Sequence, residues 1–120
     1  MDDEMDVVER TLIIPATPNE VWLAVTDPGS VSDWFGAELL EWEPRAGGRV
    51  AFRDADGVVR RGVIETADEP SRLVIRWLAI EQLADGSMHA TDPRVVIISL
   101  ERAAEGTTLT VTDAAAALQR

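Results

Sequence analysis

Hydrophobic and polar positions alternate with a period of two along most of this chain, and the main break in that rhythm falls near its start. Val7 to Ile14 is rich in β-branched residues and stops at Pro15, which predicts a first strand. From Asn19 to Thr26 the spacing changes, with Val21, Trp22 and Val25 recurring as on one face of a helix. Thr17-Pro18-Asn19-Glu20 supplies its start: Thr17 as N-cap, Pro18 at the first helical position, Glu20 placed to reach back to the cap. Asp27-Pro28 repeats the device and opens a second short helix through Val31 and Trp34, closed by Gly36. Two short helices in a bent pair are therefore expected.

Six further strands follow, separated by turn residues. They are Ala37 to Glu43, Arg49 to Asp54, Val58 to Thr66, Leu73 to Ile80, Arg94 to Arg102 and Thr107 to Thr112. Pro44-Arg45-Ala46-Gly47-Gly48 and Ala55-Asp56-Gly57 are tight-turn signals, and Glu81 to Asp92 reads as a polar loop. Alternation also assigns faces. Arg76 points one side of its strand to water and sends Leu73, Ile75 and Trp77 the other way. Glu101 likewise turns Val96, Ile98 and Leu100 inward, while Val50 and Phe52 alternate with Arg49, Ala51 and Arg53. One face of a twisted antiparallel sheet is thus apolar and aromatic-bearing, and such a face needs helices, a ligand or a partner over it.

Composition narrows the chemistry. The 120 residues suit one domain, with residues 1–6 an acidic tail expected to be disordered. That acidic start does not resemble an export signal, and no apolar run reaches the roughly 18 residues a membrane span needs, so a cytoplasmic protein is expected. There is no cysteine and no lysine, which removes disulfides, thiolate ligands, thiol nucleophiles and Schiff-base chemistry. With 22 acidic residues against 11 arginines, the net charge of −11 opposes nucleic acid and anionic membranes as partners.

Several segments, taken in order, resemble a known family. Glu9-Arg10-Thr11 leads to Ile14-Pro15-Ala16-Thr17-Pro18-Asn19-Glu20-Val21-Trp22, then Thr26-Asp27-Pro28 and Asp33-Trp34-Phe35-Gly36. Downstream come Gly47-Gly48-Arg49-Val50-Ala51-Phe52, Asp56-Gly57, Gly62-Val63-Ile64-Glu65, Pro70-Ser71-Arg72-Leu73-Val74-Ile75-Arg76-Trp77 and Glu105-Gly106-Thr107-Thr108-Leu109-Thr110-Val111-Thr112. This ordered set is similar to the START-like, helix-grip (SRPBCC) domains of the Hsp90 ATPase activator homologue family, over nearly the whole chain. The resemblance implies an α+β fold: a curved seven-stranded antiparallel sheet, two short helices after the first strand, and a long C-terminal helix gripped over an apolar cavity. It implies ligands such as lipids, polyketides or hormones, with some members acting as cyclases or hydrolases, and no single activity travels with the fold.

The chain departs from that pattern after Asp113, where only Ala114-Ala115-Ala116-Ala117-Leu118-Gln119-Arg120 remain. As helix this is about 10 Å long at roughly 1.5 Å per residue, with Leu118 its only large apolar side chain. The C-terminal helix is therefore short or missing. Loss of the helix, a second copy of the chain over the uncovered groove, or a tighter curl of the sheet over the early helices are the three explanations. An open apolar groove makes a homodimer one expected partner.

The candidate chemistry is sparse. His89 is the single histidine and sits in the polar loop with no triad pattern around it, so solvent exposure is its plain reading. No metal-ligand spacing is present, and neither metal nor cofactor is expected. Arg61 and Glu65 share a strand face near Arg76, a pattern that fits a solvated charge ladder. The four tryptophans suit a packed core or a pocket wall. In the second reading Trp34 and Phe35 stand at the mouth, while Phe52, Ile75, Trp77 and Ile98 line the sheet side. The expected function is binding of an apolar small molecule without a covalent step. A cyclase or hydrolase in the same cavity, or a co-chaperone-like interaction domain, are the alternatives.

Overall fold

A computed structural model of the chain describes residues 7–115, leaving aside the side chains of Val7 and Trp34. The expected acidic tail, residues 1–6, lies outside the described residues. Strand β1 (Val7–Ile14) gives way to helices α1 (Pro18–Thr26) and α2 (Pro28–Phe35). The capping box on α1 is complete: Glu20 N donates to Thr17 Oγ1 at 3.2 Å, and Thr17 N donates to Glu20 Oε1 at 2.9 Å. Asp27 ends α1 and caps α2 by accepting from Ser30 N at 3.1 Å, so one residue sets the bend between the helices. Gly36 closes α2 in the left-handed region at φ 70°, as a C-cap glycine does.

Seven strands follow: β2 (Glu38–Trp42), β3 (Arg49–Arg53), β4 (Val59–Asp68), β5 (Arg72–Gln82), β6 (Met88–Ala90), β7 (Arg94–Ala103) and β8 (Gly106–Ala115). With β1 they form one antiparallel sheet in the order β1-β8-β7-β5-β4-β3-β2, and β6 pairs with β5 beside this path. Irregular register between Ile64 and Thr66 puts a bulge in β4 and that between Leu39 and Glu41 puts one in β2, whereas between Arg60 and Gly62 the extra residues lie on β5, from Leu78 to Ile80. Bulges bend strands and raise twist, and these curve the sheet around the helices.

The strand count differs from expectation by β6. Met88, His89 and Ala90 are exposed, so burial does not make this strand; backbone pairing with Ile80, Glu81 and Gln82 does. The segment expected as a polar loop thus holds the tip of a hairpin. The C-terminal helix is short or missing, as expected: Ala114 and Ala115 extend β8, opposite Val95 and Arg94 of β7. Ala114 is buried there, and sheet pairing overrides the helix propensity of an alanine run. Residues 116–120 lie outside the described residues. No long C-terminal helix follows β8 among the described residues, and none of the helices there is long and apolar enough to cross a membrane.

The core fills the concave face. Val21, Trp22 and Val25 of α1 and Val31 of α2 meet Val50, Phe52, Ile64, Leu73, Ile75, Trp77, Val96, Ile98, Leu100 and Leu109 from the sheet. Two hydrogen bonds fix the helices to it. Trp42 Nε1 donates to Thr26 O at 2.8 Å, and buried Thr107 donates through Oγ1 to Ala16 O at 2.7 Å. The convex face carries the charge ladder: Arg53 with Glu38, Arg61 with Glu41, and Arg76 with Glu65 at 2.8 Å. All six groups are exposed enough for water to weaken the attraction.

Candidate functional site

Residues directly opposite in an antiparallel sheet share a face, so register gives the concave surface row by row. Arg10, Val111, Ile98 and Leu73 make one row across β1, β8, β7 and β5; Leu12, Leu109 and Leu100 make the next. On the other side run Asp113, Val96, Ile75 and Ile64, then Arg94 and Trp77, with Gly62 opposite Trp77. Phe52 lies beyond, on β3 between Leu39 and Arg60. Phe52, Ile75, Trp77 and Ile98 therefore face the same way, as alternation predicts.

They do not share one hollow. Phe35, at the end of α2, meets Phe52 with ring centroids 4.4 Å apart and stands edge-on to Trp77 at 6.3 Å. Phe52 also contacts Trp77 at 5.8 Å and Trp42 at 6.3 Å. Gly62 makes room for this cluster: a Cβ there would lie 3.0 Å from Trp77 Cε3 and 2.8 Å from Arg76 O. The Arg60 guanidinium stands 4.7 Å from the Trp77 ring centroid, a cation–π contact, and its Nε lies 3.5 Å from Glu81. What remains open beside Phe35, Phe52, Trp77 and Arg60 is about 120 Å³.

The larger hollow is at the opposite end, where α1 leaves the β1–β8–β7 side of the sheet uncovered. Val25 of α1, Leu12 of β1, Leu109 and Val111 of β8, Ile98 of β7 and the Arg10 side chain enclose about 410 Å³. Ile98 forms its fully buried floor, whereas Leu12 is 60 % exposed at its edge. Of the residues expected to line a pocket, Ile98 borders this cavity, Phe35, Phe52 and Trp77 close the aromatic end, and Ile75 is fully buried between them. The Trp34 side chain lies outside the described residues.

Sequence reasoning passed over Leu12, Val25, Leu109, Val111 and Arg10. Arg10 occupies an inward register position between Val8 and Leu12, but the apolar residues of β1 fall at both parities, so alternation did not single it out. Arg94 and Asp113 were missed as well. Their side chains pair on the concave face, Arg94 Nε donating to Asp113 Oδ1 at 2.9 Å. Arg61 and Arg76 face outward on the convex charge ladder, in keeping with the sequence pattern. His89 sits on exposed β6 opposite Glu81, and among the described residues no cluster of histidines and carboxylates is arranged to hold a metal.

Solved structures share this architecture. DynU16, described as a putative protein in the dynemicin biosynthetic locus, is 30% identical with a TM-score of 0.71, over 92% of this chain. The chain spans 38% of the DynU16 chain. CalU16 from Micromonospora echinospora is 26% identical with a TM-score of 0.65, over 94% of this chain and 61% of that one. Ms6760 from Mycobacterium smegmatis, 19% identical with a TM-score of 0.72 over 96% of this chain and 76% of that one, shares the fold. No curated protein matches the sequence. The model of the Activator of Hsp90 ATPase homolog 1-like protein family matches residues 15–120, in keeping with the curved sheet and paired early helices, and the chain belongs to that family.

Proposed function

We propose that this protein is a small-molecule binding module that holds an apolar or amphipathic ligand between α1 and the β1–β8–β7 side of the sheet. The observation that carries the reading is the 410 Å³ cavity walled by Leu12, Val25, Ile98, Leu109 and Val111. That volume lies in the range of small-molecule sites, roughly 300–1,000 Å³, whereas the 120 Å³ hollow at the aromatic end falls below it. Ile98 touches the ligand. Phe35, Phe52 and Trp77 form a stiff wall whose hollow admits at most a ring edge or a short branch. DynU16, 30% identical, is described as coming from a biosynthetic locus, which fits a protein that handles a small organic molecule such as a polyketide or lipid.

The cyclase or hydrolase reading has one observation in its favour, the Arg94–Asp113 pair on the same face. That carboxylate already accepts from Arg94 Nε at 2.9 Å and is held on the sheet rather than presented to a substrate, so binding without chemistry is the stronger reading. A second copy laid over the same strands is the competing occupant.

Nile red, a neutral apolar dye, tests the site directly when displaced by fatty acids, sterols and aromatic polyketides. Saturable displacement is expected in the wild type and is lost in Val111→Trp, which fills the hollow. If no compound displaces the dye, or the variant behaves as the wild type, the cavity is not the site. A dimer in sedimentation that excludes the dye would replace the ligand with a second copy.

A further inference from the structure

Building on that reading, we propose that the occupant is a monoanionic amphiphile: its apolar body lies on Ile98, Leu109 and Val111, and its carboxylate is held by Arg10. The inward face of β1 reads Val8, Arg10, Leu12, Ile14, and register sets Arg10 directly opposite Val111 in a row that continues through Ile98 and Leu73. Arg10 is exposed and borders the rim of the cavity, so its stem can lie along the apolar row while its guanidinium stays at the mouth.

The remaining charges sharpen the point. Arg45, Arg53, Arg60, Arg61, Arg76 and Arg94 each have a carboxylate partner, while Arg49, Arg72 and Arg102 have no ion pair among the described residues but do not border the cavity. Among the described residues Arg10 has neither an ion pair nor a side-chain hydrogen bond. Glu9, its sequence neighbour, points to the other face, where it accepts from Thr112 Oγ1 at 3.1 Å. Asp113, the acid that register places on the inward face of β8, is engaged by Arg94 at 2.9 Å. In a chain of net charge −11, Arg10 is thus an uncompensated cation beside the large apolar cavity.

These facts select the chemistry of the ligand. The other lining side chains, Leu12, Val25, Ile98, Leu109 and Val111, offer no hydrogen bonds, so a sugar or nucleotide would lose its hydration without replacement. A planar carboxylate matches the guanidinium fork, and a single guanidinium balances one negative charge better than the two of a phosphate monoester. The ligand is free rather than membrane-held, since the net charge opposes approach to an anionic bilayer.

Titration calorimetry of the full chain with decanoate and 1-decanol, below their aggregation limits, tests the assignment. Decanoate is expected to bind roughly tenfold to a hundredfold more tightly than decanol, the usual size of a charge-assisted hydrogen bond. Arg10→Met abolishes that preference and leaves decanol affinity unchanged, whereas Arg72→Met on the convex face leaves the preference intact. Equal binding of the two compounds by the wild type, or equal loss of both in Arg10→Met, overturns the role of Arg10 while the apolar cavity stands. Binding of neither compound overturns the cavity reading itself. Co-sedimentation with phosphatidylserine vesicles would overturn the choice of a free ligand.

Discussion

Ile75 and Ile98 provide a controlled comparison, because both are 0 % exposed on the same face of adjacent strands and only Ile98 borders the large cavity. Truncation to alanine removes the same three carbons from each. At about 0.8 kcal/mol per buried carbon, the transfer loss is about 2.4 kcal/mol for either variant. Ile75 is enclosed by Ile64 and Val96, so its removal leaves a closed void. A void of roughly 60 Å³ at about 24 cal/mol per Å³ adds about 1.4 kcal/mol, bringing Ile75→Ala to about 4 kcal/mol. At Ile98 the removed volume merges with space that is already open, so most of that second contribution is absent and the expected loss is about 2.5 kcal/mol. Urea denaturation followed by far-UV circular dichroism resolves the gap. With a denaturant slope of about 1–3 kcal/mol per molar, the two midpoints should differ by roughly half a molar to one and a half molar. Equal losses, or a greater one at Ile98, would mean that the hollow beside Ile98 is closed in solution and the reasoning fails.

Gly62→Val should displace the Trp77 indole and cost about 1–3 kcal/mol, since its Cβ would approach Trp77 Cε3 at 3.0 Å and Val50 Cγ2 at 3.1 Å; an unaltered near-UV circular dichroism spectrum would contradict this. Trp42→Phe removes the 2.8 Å bond to Thr26 O and should cost about 1 kcal/mol, with faster amide exchange at the end of α1. Unchanged exchange there would show that the bond does not anchor the helix. Asp85 accepts from Ser87 Oγ at 2.6 Å and from Ser87 N at 2.8 Å, which holds its carboxyl below the usual aspartate value. Because the folded pKa is the lower one, the turn gains stability above the unfolded value and loses it as pH falls through the folded value. Carbon-detected NMR titration should show Asp85 moving upward in Ser87→Ala, and no movement would remove the role of the hydroxyl.

Strong local chemistry made the first half of the fold legible. Thr17, Pro18, Asp27, Pro28 and Gly36 specify both helices and their junction before any tertiary contact is known, and the structure places each in that role. Alternation likewise gave the inward faces of β3, β5 and β7, because Arg76 and Glu101 mark the wet side. It failed where burial does not write the pattern. Strand β6 is held by backbone pairing alone, and Ala114 joins β8 because Val95 lies opposite it. The cavity was hidden for a different reason. Alternation tells which side chains face inward, but the space left among them depends on where α1 crosses the sheet. Val25 over Ile98 is a product of that crossing, and Phe35 against Phe52 is the same effect at the other end.

The pairing of β1 with β8 sets Val7 opposite Ala114 and Ile14 opposite Thr107, so the first strand finds its neighbour about a hundred residues along the chain. During synthesis it emerges early and then waits. Until β8 arrives, Val8, Leu12 and Ile13 belong to an unmated segment, and the slow step of assembly should be the search that brings these two distant strands side by side.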